Sequence, residues 1–220
     1  MWIRNIFGKT QCKPEMQLLL IALLWLGAVN GWQNGLARTP PMGWMDWLKY
    51  ECNIDCLNHP KACINEQLYK DMVDRIVEDG YLELGYDTVN IDDCWMEKNR
   101  DPDTSRLVPD RHRFPNGIKS LADYAHSRGV KLGIYEDVGR FTCQKYPGTL
   151  SPDGSIDYTA IDAKTFSDWG IDSLKLDGCY VPDSIPYNRS YPQYSKELSN
   201  QGKCFKLIHF SEFNFKYLNN

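Results

Sequence analysis

The chain has 220 residues, 42% of them hydrophobic and 13% aromatic, which suffices for a packed core and argues against a disordered chain. Its net charge is −4 and its basic residues are scattered, which argues against nucleic-acid binding, because phosphate contacts need clustered lysine and arginine. A mean hydropathy of −0.50 excludes a polytopic membrane protein. Eight cysteines favour an oxidising compartment.

The N-terminal residues have the pattern of a secretory signal peptide. Basic residues precede an apolar run over 18–29, which is short against the roughly 20 residues that a bilayer crossing needs. Small residues lead up to Gly31, so we expect residues 1–31 to be removed and no membrane span to remain. An uncleaved signal anchor is the alternative. Cleavage would take Cys12 away and leave an odd number of cysteines, at least one of them unpaired within the chain.

The rest of the chain alternates helix and strand signals. The segment 41–44 predicts the tip of a first strand, and helical periodicity predicts a helix from an N-cap at Asn65 to Gly80. The elements that follow are a strand over 86–91, a helix from about Ile118 to Gly129, a strand over 130–135, a helix over 162–169 and a strand over 171–176.

This alternation of short apolar strands with helices predicts a parallel sheet covered by helices, in the α/β class. A doubly wound sheet and a (β/α)8 barrel both have that pattern. The sequence has no glycine-rich phosphate fingerprint after a strand, so a dinucleotide site is disfavoured.

Acidic residues stand where three successive predicted strands end: Asp92 and Asp93, Glu136 and Asp137, and Asp177. Capping of the following turn explains any one of them, but in a barrel the active site is built from these strand ends, and the recurrence favours a site. Carboxylates at one mouth suit either glycoside hydrolysis or a divalent metal that holds a phosphate or enolate.

Aromatic and basic neighbours favour the sugar chemistry, because flat rings pack against the C–H face of a sugar. The aromatic residues at or near strand ends are Trp44, Trp47, Trp95 and Tyr135. Lys175 lies two positions before Asp177 and so on the same face of its strand. Its ammonium would keep Asp177 ionised, as a nucleophile requires, and a structural ion pair is the alternative role.

The remaining cysteines suggest disulfide bridges. Those near the predicted strand ends or around a short loop are Cys52, Cys56, Cys63, Cys94, Cys143 and Cys179. Their spacing leaves many connectivities open. A zinc site is the rival interpretation, and it is weak, because the chain has four histidines and no CxxC motif. We therefore predict no metal site.

Five motifs resemble, in the same order, the lysosomal-type α-galactosidase and α-N-acetylgalactosaminidase family, glycoside hydrolase family 27 of clan D. They are GLARTPPMGW at 35–44, NIDDCW at 90–95, RFPNGI at 113–118, KLGIY at 131–135 and KLDGCY at 175–180. The resemblance covers about residues 33–203. It implies the N-terminal part of a (β/α)8 TIM barrel, incomplete at about four to five βα units, without the C-terminal β-sandwich of the family.

The resemblance also implies a reaction and the residues that perform it. The reaction is retaining hydrolysis of terminal α-galactosides or α-N-acetylgalactosaminides on glycans or glycolipids, with no cofactor. Asp177 would be the nucleophile. The implied substrate-binding residues are Trp47, Asp92, Asp93, Tyr135 and Lys175, with the two aspartates on the 4- and 6-hydroxyls. The implied disulfides are Cys52–Cys94, Cys56–Cys63 and Cys143–Cys179.

The resemblance fades near Lys203, before the family's general acid/base carboxylate. We therefore expect a signal peptide at 1–31, a partial TIM-barrel catalytic domain at 32–203 and a divergent tail at 204–220 in which Cys204 is the odd thiol. The alternative function is a non-catalytic truncated isoform that binds sugar weakly or not at all.

The leader and a glycosylation sequon indicate the compartment. The sequon at Asn188 predicts an N-glycan on an exposed loop. Together with the leader it places the protein in the secretory pathway, with the lysosome or the extracellular space as its destination. The resemblance also allows a homodimer.

Overall fold

The computed structural model describes residues 40–185 and 187–202, together with the backbone of residues 206–209. Its strands form one parallel five-stranded sheet in the order β1-β2-β3-β4-β5. The strands are β1 Gly43–Met45, β2 Thr88–Asn90, β3 Lys131–Asp137, β4 Ser173–Asp177 and β5 Lys206–His209. Because spatial order follows chain order without the reversal of a doubly wound sheet, the described strands have the arrangement of consecutive barrel strands.

The helices connect these strands and cover the sheet. They are α1 Trp47–Tyr50, α2 Glu66–Glu78, α3 Gly117–Ser127, α4 Thr159–Trp169 and α5 Tyr187–Asn200, with a 3-10 turn at Leu82–Leu84. The predicted N-cap of α2 is confirmed, since the Asn65 side chain accepts the Leu68 backbone N–H at 2.8 Å. Gly170 closes α4 in the left-handed conformation, at φ 84°.

The core lies between the sheet and these helices. β2, β3 and β4 bury Val89, Leu132, Ile134, Leu174 and Leu176. From the helices the core receives Tyr69, Val73, Ile118, Leu121, Ala125 and Phe166. Burying aliphatic and aromatic side chains stabilises the fold by about 1.5–3 kcal/mol each. This packing fixes the direction in which each strand presents its carboxyl end.

Three strands differ in length from the sequence prediction. β2 and β4 are shorter than the apolar runs suggested, and β3 continues through Glu136 to Asp137. β3 is longer because it pairs with β4, in a register that sets Tyr135 opposite Lys175 and Asp137 opposite Asp177. Backbone pairing therefore extends beyond the last apolar side chain, and two charged positions become strand residues.

Two predicted features fall on residues that the structure does not describe, namely the signal peptide at 1–31 and the odd thiol Cys204. β5 falls within the expected tail and pairs with β4, so residue 203 is not where the sheet ends. The backbone of Asn188 lies in α5 rather than in a loop, and its side chain is outside the described part. In the part of the chain that the structure describes, no helix combines the length and apolar character needed to cross a bilayer.

Candidate active site

Five aspartates meet at the carboxyl ends of β1 to β4. Asp46 directly follows β1, Asp92 and Asp93 follow β2 by way of one isoleucine, and Asp137 and Asp177 end β3 and β4. The first four are buried, and Asp177 alone of the five is partly exposed. These five carboxyls form a polar cluster at the strand ends, called the pocket below, in which Asp177 has the accessible side chain.

A buried ion pair crosses this pocket from β4 to the end of β2. Lys175 Nζ lies 2.6 Å from Asp92 Oδ2, and both side chains are almost fully buried. The same ammonium lies 5.2 Å from the centre of the Tyr135 ring and 5.9 Å from that of Trp47, within cation–π range. Burial raises the pKa of Asp92 and the Lys175 charge opposes that shift. The expected effect of Lys175 on the ionisation of Asp177 stays a prediction.

Backbone donors hold the two adjacent aspartates in place. The Asp92 N–H donates to Asp46 Oδ1 at 2.8 Å. Asp93 accepts the N–H of Cys94 at 2.6 Å and that of Gln144 at 3.0 Å. Burial raises the pKa of Asp93 to about 6 despite these donors. Cys94 itself has φ 72°, a strained conformation for a residue with a side chain. The chain therefore turns sharply here, and the two carboxyls are fixed.

Asp177 is held by two donors and stays partly accessible. The Tyr135 hydroxyl donates to Asp177 Oδ2 at 3.0 Å, and the Gly178 N–H donates to Oδ1 at 2.8 Å. Cys143 Sγ lies 3.5 Å from Oδ2. Burial, with repulsion from Asp93 and Asp177, raises the pKa of Tyr135 well above its ordinary value, so the hydroxyl keeps its proton and acts as a donor. An oriented, accessible carboxylate can attack an electrophilic carbon.

The sequence analysis assigned no function to two buried aspartates of the pocket, Asp137 and Asp46. Asp137 accepts the N–H of Gly139 at 2.6 Å and that of Cys179 at 2.7 Å. Burial raises the pKa of Asp137 to about 8, and burial followed by repulsion from Asp92 raises that of Asp46 to about 7. The strand-end rule already pointed to Asp137, and it would have found Asp46 had the end of β1 been recognised.

Glu136 does not belong to the pocket, although the sequence grouped it with the strand-end acids. Side chains alternate along a strand, so Glu136 faces away from Tyr135 and Asp137. It is buried beside a bidentate ion pair in which Arg100 donates to Asp162 at 2.6 and 2.7 Å. Burial, then repulsion from Asp162, raises the pKa of Glu136 well above its ordinary range. The group therefore belongs to the packing of β3 against α4.

Only some of the aromatic candidates lie at the pocket. Trp47 is partly exposed and faces Lys175, whereas Tyr135 is buried and reaches Asp177 with its hydroxyl. The expectation fails for Trp95, which is fully buried and donates its indole N–H to the Tyr135 carbonyl at 3.0 Å. It fails also for Trp44, which packs edge-on against core residues such as Tyr69.

The structure joins the three cysteine pairs that the family resemblance implies: Cys52–Cys94, Cys56–Cys63 and Cys143–Cys179. The first and third connect loops at neighbouring strand ends. Ligand atoms of Asp137, Cys143, Asp177 and Cys179 lie within 4.8 Å of one another, a spacing that suits a metal ion. Both sulfurs are bonded to each other, however, so this group offers carboxylate oxygens and no thiolate.

Comparison with known proteins gives the same family as the motifs. A family model described as Alpha galactosidase A matches residues 39–216. Alpha-N-acetylgalactosaminidase of Gallus gallus is 53% identical over 171 residues, covering 78% of this chain and 40% of the relative. Alpha-galactosidase A of Homo sapiens is 42% identical over 203 residues, covering 92% of this chain and 46% of the relative. The chain thus spans less than half the length of these relatives.

Solved structures agree on the fold. Alpha-galactosidase I from Mortierella vinacea superimposes with a TM-score of 0.67 at 36% identity, covering 80% of this chain and 42% of that one. The Saccharomyces cerevisiae alpha-galactosidase with raffinose gives a TM-score of 0.68 at 31% identity, covering 80% and 36% of the two chains. With parallel strands in barrel order, an acidic pocket at their carboxyl ends and a family match over most of its length, this chain belongs to the alpha-galactosidase A family of glycoside hydrolases, family 27.

Proposed function

We propose that the pocket binds a terminal α-galactoside or α-N-acetylgalactosaminide and that Asp177 is the nucleophile of a retaining hydrolysis. The observation that carries this proposal is the position of the partly exposed Asp177 carboxylate. It is oriented by Tyr135 and Gly178, next to the buried Lys175–Asp92 ion pair. The relatives named above, α-N-acetylgalactosaminidases and α-galactosidases, support the substrate class.

The chemistry follows from the acceptors available. A sugar in the pocket presents hydroxyl donors, and the carboxyls of Asp92 and Asp93 accept them, while Trp47 and Tyr135 supply flat apolar walls. An Asp177 oxygen then bonds to the anomeric carbon and forms a covalent glycosyl ester, while the leaving oxygen departs with the electron pair of the broken bond and takes a proton from water. In the second step water attacks the same carbon, gives a proton to the solvent and releases the Asp177 carboxylate. Two inversions at the same carbon give overall retention.

Hydrolysis of nitrophenyl α-galactoside tests the proposal, because a nitrophenolate leaves with little help from a general acid. We expect turnover by the purified chain and a loss of at least about 1,000-fold in Asp177→Asn, in which the nucleophile is absent. Asp168→Asn is the matched control, the same change at a half-exposed carboxylate on α4 that pairs with Lys164 and Arg106. Absence of turnover in the unaltered chain would refute hydrolysis by it, and equal activity in Asp177→Asn would refute the role of Asp177.

Compartment and modification are proposed on separate grounds. The three disulfides described above suit an oxidising compartment, which supports the secretory pathway and a lysosomal or extracellular destination.

We propose an N-glycan at Asn188. Enzymatic deglycosylation should lower the mass of the chain, and the Asn188→Gln variant should show no such loss. A homodimer would have, in light scattering, twice the mass that mass spectrometry gives for one processed chain.

A further inference from the structure

Asp137 connects the two loops on either side of the proposed nucleophile. It ends β3 directly opposite Asp177 in the sheet register and is fully buried. One carboxyl oxygen accepts the Gly139 N–H of its own loop at 2.6 Å. The other accepts the Cys179 N–H, two residues past Asp177, at 2.7 Å. A single side chain thus fixes the backbone that leaves β3 and the backbone that leaves β4.

Other contacts show that these two loops meet closely at this point. The Val138 N–H donates to the Asp177 carbonyl at 3.0 Å, which continues the sheet ladder beyond Asp137. A Cβ built on Gly139 would lie 1.9 Å from the Cys179 carbonyl oxygen, so only glycine allows this approach. The position of the Asp177 backbone therefore depends on the β3 loop, and Asp137 is the side chain that hydrogen-bonds to both loops and holds them together.

The geometry does not suit Asp137 for a direct chemical step. Both of its oxygens already accept backbone N–H groups, and the side chain does not reach solvent. A proton donor to a leaving group needs a hydroxyl aimed at the substrate, and a nucleophile needs an accessible oxygen. Asp137 meets neither condition. A buried carboxyl with both oxygens bound to backbone N–H groups is instead suited to orienting the neighbouring backbone.

We propose that Asp137 is a positioning residue that sets the angle of the Asp177 carboxylate through the Cys179 and Gly139 backbone. The inference rests on the proposed role of Asp177 as nucleophile. An asparagine at 137 has nearly the same shape, but one of its polar atoms is an N–H donor facing a backbone N–H donor less than 3 Å away. The lost acceptor lets the loop after β4 move, and the attacking oxygen loses its alignment.

Covalent labelling by 5-fluoro-α-galactosyl fluoride separates alignment from binding. In this step an Asp177 oxygen bonds to the anomeric carbon, the C–F bond breaks and fluoride departs with its electron pair, without a proton donor. The labelled fraction is followed by intact mass against reagent concentration, per folded molecule. For Asp137→Asn we expect the saturating rate to fall about 10- to 100-fold with the half-saturating concentration within twofold of the unaltered chain.

Asp172→Asn is the matched control. Asp172 also accepts a β3 backbone N–H, that of Leu132 at 2.9 Å, and contacts His126, but it lies at the opposite end of the sheet. This variant should label at the unaltered rate. An unaltered saturating rate in Asp137→Asn overturns the inference, and so does a lower melting temperature with both labelling constants unchanged, since that result assigns a purely structural role.

Two further outcomes are distinguishable. If the unaltered chain is not labelled at all, the proposed nucleophile fails and the positioning role fails with it. If Asp137→Asn does not fold, hydrogen exchange in the unaltered chain decides. The Cys179 and Gly139 amides should exchange at least about 100-fold more slowly than in an unstructured peptide. Exchange of the Cys179 amide at the unstructured rate would show that Asp137 does not hold the loop.

Discussion

Replacing Asp46 by asparagine should weaken the dependence of the unfolding free energy on pH. Asp46 is fully buried and accepts the Asp92 N–H at 2.8 Å. Burial, and then repulsion from Asp92, raises its pKa to about 7, compared with about 3.9 in an unfolded chain. The folded protein therefore binds this proton more tightly than the unfolded chain does. Its contribution to stability is complete below about pH 4 and is lost as the pH rises through about 7.

The magnitude follows from linkage between these two pKa values. The contribution of Asp46 to the unfolding free energy falls by about 2–3 kcal/mol between about pH 5 and about pH 8. Asparagine keeps the acceptor for the Asp92 N–H and has no proton to lose. Relative to the unaltered chain, Asp46→Asn should therefore become more stable by that amount as the pH rises over this range.

Urea unfolding with the disulfides intact, repeated from about pH 5 to about pH 8, measures the effect. Asp153→Asn is the control, because hydrogen bonds from Ser151 and Ser155 lower the pKa of Asp153 to about 2. That carboxyl titrates below the measured range, so its substitution should give a pH-independent offset. Parallel pH profiles for the unaltered chain and Asp46→Asn would refute the buried, protonated state of Asp46.

Three further substitutions test the pocket and its loops. Lys175→Met leaves Asp92 buried without its charged partner and should lower the unfolding free energy by about 3–5 kcal/mol near neutral pH. The loss should be smaller in acid, where Asp92 is neutral. An unchanged urea midpoint would contradict the ion pair. Gly139→Ala brings a Cβ against the Cys179 carbonyl and should cost about 1–3 kcal/mol in the same assay; a neutral result would mean that the loops are farther apart. Replacing Cys143 and Cys179 together by serine opens a loop of 36 residues and should cost about 4 kcal/mol, with an unaltered midpoint as the contrary result.

Local signals were sufficient for most of the fold. The N-cap at Asn65 and the 3.6-residue periodicity determine α2, and the left-handed Gly170 ends α4 where the sequence placed it. Strand ends were less accurate. β3 extends to Asp137 because its neighbour β4 offers backbone partners that far, and the side chains of β3 alone do not contain that information.

The pocket was predictable where it depends on strand direction and not where it depends on turns. Acids at strand ends share one mouth because parallel strands end together, which brought Asp92 and Asp177 into one pocket. Trp95 was misplaced because Cys94, at φ 72°, breaks the strand alternation and turns the indole into the core. The contact of Lys175 with Asp92 joins residues 83 positions apart across an intervening strand, a relation that local spacing does not encode.

Titration of the purified chain with galactose and with glucose tests most directly whether this pocket binds a galactosyl group selectively. The two sugars differ only at C4, whose hydroxyl is one of those assigned to Asp92 and Asp93. Calorimetry should give saturable heat with galactose, at least about tenfold weaker binding of glucose, and loss of the galactose signal in Asp92→Asn. Equal affinity for the two sugars, or full galactose binding by Asp92→Asn, would contradict the sugar site assigned to these strand ends.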